Sequence, residues 1–158
     1  MLPIKTIVHP TDFSEHAQYA FEMACALARD HGSRILVVHV QAPAPILYGD
    51  GMIVPPDEGF REELKRRLSH VPDAGPGVTV ERHLLDGDPV TSILKFAAEQ
   101  QASLIVMGTH GWTGLSRLLL GSVAEKIVRR ATCPVLTVKY PSPTAEQELA
   151  SSAGQVEK

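Results

Sequence analysis

The sequence predicts one doubly wound α/β domain, a Rossmann-like fold with a five-stranded parallel sheet. Three observations carry that expectation. Five short apolar runs rich in β-branched residues punctuate the chain. Between them lie longer segments whose apolar residues recur every three or four positions, the period of a helix packed on one face. Cap residues, prolines and glycines mark the boundaries. The resulting order β-α-β-α-β-α-β-α-β places helices on both faces of parallel strands through right-handed crossovers.

Ile4–His9 reads as the first strand, and Phe13, Ala17, Ala20, Phe21, Ala24, Leu27 and Ala28 then share one helical stripe. Ser14 is the expected N-cap, and Gly32 after His31 suits the left-handed turn past a helix end. Arg34–Val40 is the second strand. Residues 41–58 carry four prolines and two glycines, so a long loop outside the alternation is expected. Residues 61–67, REELKRR, mix both charges at helical spacing and read as a solvated helix face. Val78–Leu85 alternates in polarity and belongs near a sheet edge, whereas the other four strands read as apolar on both faces.

Asp88-Pro89 is an N-cap and first-turn pair, followed by the stripe Val90, Ile93, Leu94, Ala97 and Ala98. Ser103–Gly108 forms the fourth strand. The last helix is expected over Ser122–Ala131, with Val123, Ala124, Ile127, Val128 and Ala131 inward and Ser122-x-x-Glu125 as a capping box. Pro134–Lys139 is the final strand, at an edge with little charge to discourage pairing. Residues 1–140 thus form the domain, and the polar residues 141–158 a flexible tail.

Composition narrows the functional classes. The 158 residues hold 15 basic and 18 acidic side chains, a net charge of −3, which argues against nucleic acid as the main partner. The longest aliphatic stretches, Ile35–Val38 and Leu104–Met107, are far short of the roughly 20 residues that span a membrane. The N-terminus lacks the apolar core of a secretory signal, so a cytoplasmic protein is expected. Cys25 and Cys133 form no metal-binding or disulfide pattern and read as buried thiols. The seven histidines show no ligand spacing, and His9 and His39 read as packed core residues.

In an open parallel sheet ligands bind beyond the carboxyl ends of the strands, where strand order reverses. The most unusual strand end is GTHGWTGLSRLLLGSVAEK, with glycines at 108, 111, 114 and 121 before a helix start. Glycines admit positive φ and close backbone approach, and a helix start offers free N–H groups to an anion. Neither G-x-x-x-x-G-K-[ST] nor G-x-G-x-x-G occurs. Spacing alone leaves two readings open, phosphate binding or ordinary turns. Asp12 likewise reads as a ligand contact or as a cap beside Ser14, and Ser122 as a phosphate contact or an N-cap.

Gly108-x2-Gly111-x9-Gly121-Ser122 resembles the G-x2-G-x9-G-[ST] motif of the ATP-binding members of the universal stress protein family. Ile7-Val8-His9-Pro10-Thr11-Asp12-Phe13-Ser14 is similar to that family's opening strand and turn, and Cys133-Pro134-Val135-Leu136-Thr137-Val138 to its closing strand. The resemblance implies an adenine nucleotide alpha-hydrolase-like fold that binds ATP and forms a homodimer through Pro134–Lys139, consistent with the edge argument. It implies that Pro10, Thr11 and Asp12 line the adenosine pocket and that Val40 meets adenine through its backbone. Gly108, His110 and Gly111 would follow the phosphate path, and Gly121, Ser122 and Val123 would hold the distal phosphates. Arg117 lies within the same loop and is a further candidate.

Any Mg²⁺ or Mn²⁺ would arrive with the phosphates rather than in a protein cage. At most slow ATP hydrolysis is expected, because the loop offers one arginine and no lysine cradle for phosphoryl transfer. A stress-response or signalling module read by a downstream protein follows from the resemblance. Two alternatives remain. One is a dimeric scaffold of the same fold without nucleotide, against which the glycine spacing argues. The other is a phosphoacceptor receiver, with Asp12, Asp86, Thr109 and Lys139 in its acid, acceptor, hydroxyl and lysine roles.

Overall fold

The computed structural model describes residues 3–42, 46–47, 53–54, 58–110 and 120–141. In chain order the elements are β1 (Thr6–Pro10), α1 (Glu15–His31), β2 (Arg34–Gln41), β3 (Ile46–Leu47), β4 (Ile53–Val54), α2 (Glu58–Ser69), β5 (Val80–Asp86), α3 (Pro89–Glu99), β6 (Leu104–Gly108), α4 (Ser122–Arg130) and β7 (Val135–Val138). Five strands form one sheet in the order β5-β2-β1-β6-β7, every neighbouring pair parallel. The doubly wound class is therefore present, with the alternating strand β5 and the final strand β7 at its two edges.

Alternation along the strands sorts the core into two layers. Ile7, Ile35, Val37 and Val106 face α1 and α2, where Ala20, Phe21, Ala24, Ala28 and Leu68 cover them. Val8, Leu36, Val38 and Ile105 face α3 and α4, against Val90, Ile93, Phe96, Ala124 and Ile127. Most of these strand residues have no measurable exposure. Each such side chain withdrawn from water contributes about 1.5–3 kcal/mol before the entropy of ordering is counted. Ser14 caps α1 by accepting from Ala17 N, and Gly32 ends that helix at φ 64°. Asp88 caps α3 through Thr91 N, with Pro89 in its first turn.

Several expectations need correction. The segment 41–58 is not wholly a loop: Gln41 ends β2, Glu58 begins α2, and β3 pairs with β4 antiparallel. Val123 and Val128 do not face inward; they are 36% and 46% exposed, and Ala124 and Ile127 anchor α4. Strand β7 is not apolar-buried on both faces, since Leu136 is 36% exposed. Cys25 is buried, but Cys133 is only half-buried; burial raises the pKa of both thiols. Helix α2 does carry a solvated face, with the pairs Lys65–Glu62 and Arg66–Glu63, yet Arg61 reaches Asp86 and Arg67 lies over the Phe13 ring.

Candidate functional site

Strand order reverses between β1 and β6, because β2 lies on one side of β1 and β6 on the other. At their carboxyl ends a cleft of about 250 Å³ opens. The sheet topology brings together nine residues singled out in the sequence: Pro10, Thr11, Asp12, Val40, Gly108, His110, Gly121, Ser122 and Val123. Gly111, Trp112, Gly114 and Arg117 lie outside the described residues. Sequence reasoning missed the apolar floor formed by Ile93 and Met107 and the contribution of His39 to the rim. The floor was signalled by the stripe of α3, whose first turn carries Pro89 at the same cleft.

One wall is the turn after β1. Thr11 N donates to Val38 O at 2.8 Å, the last backbone bond between this chain segment and β2. The chain then reverses sharply: Phe13 N donates to Thr11 Oγ1 at 3.0 Å, with Phe13 at φ 65°. A bulky residue in the left-handed region persists only where its surroundings over-determine it. Here they do. Asp12 Oδ1 accepts from Ser14 N at 3.0 Å and from Ser14 Oγ at 2.5 Å, and Ser14 Oγ in turn accepts from Ala17 N at 3.2 Å. The Asp12 carboxylate thus braces the start of α1, and the residue also lines the cleft.

His39 holds this turn from β2. Its Nδ1 lies 2.8 Å from Thr11 O, an acceptor, so Nδ1 carries the proton and donates. Burial lowers its pKa below the ordinary value, so the ring is neutral near pH 7. The Phe13 ring lies 4.5 Å from it, and the Arg67 guanidinium 4.3 Å from the Phe13 ring. His39 is therefore not simply a core histidine. His9 is one: it is 1% exposed, Nδ1 donates to Val106 O at 2.9 Å, and burial lowers its pKa to about 4.

Backbone polar groups alternate in direction along a strand. Val38 O accepts from Thr11 N on the β1 side, and Gln41 O accepts from Gly87 N on the β5 side. The N–H and C=O of Val40 consequently face the β1 side, beyond Pro10↔Val38, the last residue pair of the β1–β2 ladder. They form an adjacent donor and acceptor at the cleft wall.

The opposite wall joins β6 to α4. Thr109 N donates to Val138 O at 3.1 Å, and Gly121 N to Thr109 O at 2.7 Å. Gly121, extended at φ −68° and ψ 156°, is the N-cap of α4, and among the described residues no side chain caps this helix. The expected capping box is thus absent. Ser122 sits one residue too far along to cap, and Glu125 pairs with Arg129 at 3.3 Å instead. The first bond of the helix runs from Glu125 N to Gly121 O, which leaves the amides of Ser122, Val123 and Ala124 without intrahelical acceptors. All three residues line the cleft.

The two described glycines of this motif, Gly108 and Gly121, are closely packed within the chain. Neither Gly108 nor Gly121 has positive φ. A Cβ at Gly108 would stand 3.0 Å from His16 O, and one at Gly121 would stand 3.1 Å from Thr109 O. They let β6 approach α1 and let the loop ends meet. Their spacing is therefore accounted for by packing within the chain, and it does not weigh against a nucleotide-free scaffold. His110 Nδ1 lies 3.0 Å from Thr109 Oγ1, and its ring 5.9 Å from that of His16. Among the described residues no group of three or more His, Cys, Asp or Glu is placed to hold a metal ion.

The receiver alternative fails on sheet order. That chemistry uses the order 2-1-3-4-5, which puts the strand bearing the acceptor beside the first. Here β2 stands between β1 and β5, and Asp86 at the end of β5 pairs with Arg61 across the sheet edge.

A doubly wound parallel sheet whose switch-point cleft offers an uncapped helix start defines an α/β domain suited to an anionic ligand. The chain belongs to the universal stress protein family, whose model matches residues 3–139. It is 42% identical over 142 residues to a universal stress protein of Thermus aquaticus, covering 85% of this chain and 98% of that one. Its fold is similar to that of a universal stress protein solved in complex with cAMP, at 26% identity and TM-score 0.63, covering 87% of this chain and 98% of that one. It is also similar to the universal stress protein from Archaeoglobus fulgidus solved in complex with dAMP, at 26% identity and TM-score 0.59, covering 88% and 100%.

Proposed function

We propose that this protein is an ATP-binding module of the cytoplasm, a homodimer whose nucleotide state is read by a downstream protein. The observation that carries the reading is the pairing, within one cleft, of the Val40 donor and acceptor with the uncapped start of α4. Adenine presents an exocyclic N–H donor beside a ring-nitrogen acceptor, which complements the Val40 C=O and N–H; guanine presents the reverse pattern at that edge. The phosphates then meet the amides of Ser122–Ala124, where the helix dipole favours negative charge. Pro10, Thr11 and Asp12 flank the sugar, Gly108 and His110 flank the phosphate path, and Gly111 and Arg117 are proposed members of the same loop. The two relatives solved with cAMP and dAMP share adenine and a phosphate as ligand features, which supports the class.

Mg²⁺ or Mn²⁺ enters, on this reading, with the triphosphate. Hydrolysis is slow at most on this reading, since the glycine loop offers one arginine, Arg117, and no lysine cradle for phosphoryl transfer. Equilibrium dialysis with radiolabelled ATP, ADP, AMP, cyclic AMP and GTP tests the proposal. ATP retained well above GTP is the expected result; no retained adenine nucleotide, or equal retention of GTP, overturns it.

The dimer is proposed through the edge strand, residues 134–139. Leu136, at the middle of the edge strand β7, is an exposed apolar side chain. Val135 packs against the α3/α4 core, so Leu136→Lys is the cleaner test. Light scattering should give a dimer mass for the natural chain and a monomer mass for the variant. A natural chain that is monomeric at micromolar concentration contradicts the proposal.

A further inference from the structure

We propose that His39 is a positioning residue for the nucleotide site, acting through the Thr11 carbonyl as a tautomer-fixed hydrogen-bond donor; this rests on the nucleotide reading above. Val37 on the same strand belongs to the α1/α2 layer, and alternation puts the His39 side chain on that side of the sheet. There Nδ1–H meets Thr11 O at 2.8 Å and the ring lies 4.5 Å from Phe13. Thr11 is the pivot of the wall: its amide is fixed by Val38 O, its hydroxyl by Phe13 N and its carbonyl by His39. Asp12 follows directly, in a turn that includes Phe13 at φ 65°.

A turn of that kind relaxes when one of its ties is cut. The His39 tie crosses from β2 to the β1 turn, linking the strand that carries Val40 to the residues proposed to flank the sugar. Its loss lets Thr11 and Asp12 shift relative to Val40 while every group proposed above to hold the nucleotide is kept. Arg67 reaches over Phe13 from α2, so the same column connects the cleft to a helix outside it.

The test is calorimetric titration of the full chain with ATP. His39→Leu removes the donor, whereas His39→Asn keeps an N–H near the position of Nδ1. The natural chain should bind, His39→Leu should bind roughly tenfold or more weakly with unchanged stoichiometry, and His39→Asn should stay within about threefold of the natural chain. Equal affinity of His39→Leu and the natural chain overturns the inference while leaving the nucleotide reading intact. Equal losses in both variants also overturn it, because the ring rather than the donor would then matter. A natural chain that binds no ATP overturns both. Should His39→Leu not fold, imidazole nitrogen spectra of the natural chain decide independently: an Nδ1–H tautomer supports the role, and an Nε2–H tautomer contradicts it.

Discussion

Helices α1 and α4 both begin at the cleft, one on each wall, and their first turns are finished differently. The α1 start is closed: Ser14 Oγ accepts from Ala17 N, and Asp12 accepts from both the amide and the hydroxyl of Ser14. The α4 start is open, with a glycine N-cap and no side-chain acceptor among the described residues. Both helices have a positive end, but only α4 turns unmatched donors toward the cavity. A fold that satisfies one helix start with side chains and leaves another bare has a place for an external acceptor at the bare one.

The largest effect expected from this contrast is on the closed side. His9 lies on the α1 face of β1, its ring 5.4 Å from that of Phe21, and stays neutral in the folded protein down to about pH 4. The unfolded chain takes up that proton near pH 6.5, so unfolding binds a proton between the two values. Stability therefore falls as pH drops from about 6.5 to about 4, by roughly 3 kcal/mol in all, and this contribution levels off below. Urea unfolding of the natural chain and of His9→Asn across that range measures it. The difference between their pH slopes should be close to one proton; parallel slopes would show that His9 is not the group responsible.

Charge at the open start comes next. Ser122→Asp places a carboxylate in the first turn of α4, where it favours the empty helix by about 0.3–1 kcal/mol and opposes phosphate. ATP affinity should fall at least tenfold while the melting temperature holds or rises. Unchanged affinity would remove α4 from the proposed site. The smallest effect sharpens the comparison itself. Ser14→Ala should cost about 1 kcal/mol through the lost cap, and Ser122→Ala should change stability by less than about 0.5 kcal/mol. Equal losses in urea denaturation would mean that the two starts are alike after all.

Much of this was legible in the sequence because it follows from periodicity and local chemistry. The apolar runs located every strand of the main sheet within two residues, and Ser14 and Asp88 announced their caps. Legibility failed where the answer depended on who sits opposite. Ser122 and Gly121 are both plausible N-caps by type, and Gly121 takes the position because Thr109 O captures its amide. Val123 and Val128 have the right spacing for a core stripe, but the short α4 reaches the core through Ala124 and Ile127 alone. The glycines at 108 and 121 signalled close approach, and only the fold reveals that the approaching atoms are His16 O and Thr109 O. His39 looks like any apolar-strand histidine until the β1 turn is seen beside it.

The central claim is that nucleotide phosphates meet the open helix start and not the closed one. Amide proton–nitrogen spectra of the isotope-labelled chain titrated with ATP read both starts at once. The account predicts the largest amide shifts at Ser122, Val123 and Ala124, with little change at Glu15, His16 and Ala17. Shifts concentrated at residues 15–17, or a spectrum that ATP leaves unaltered, would contradict it.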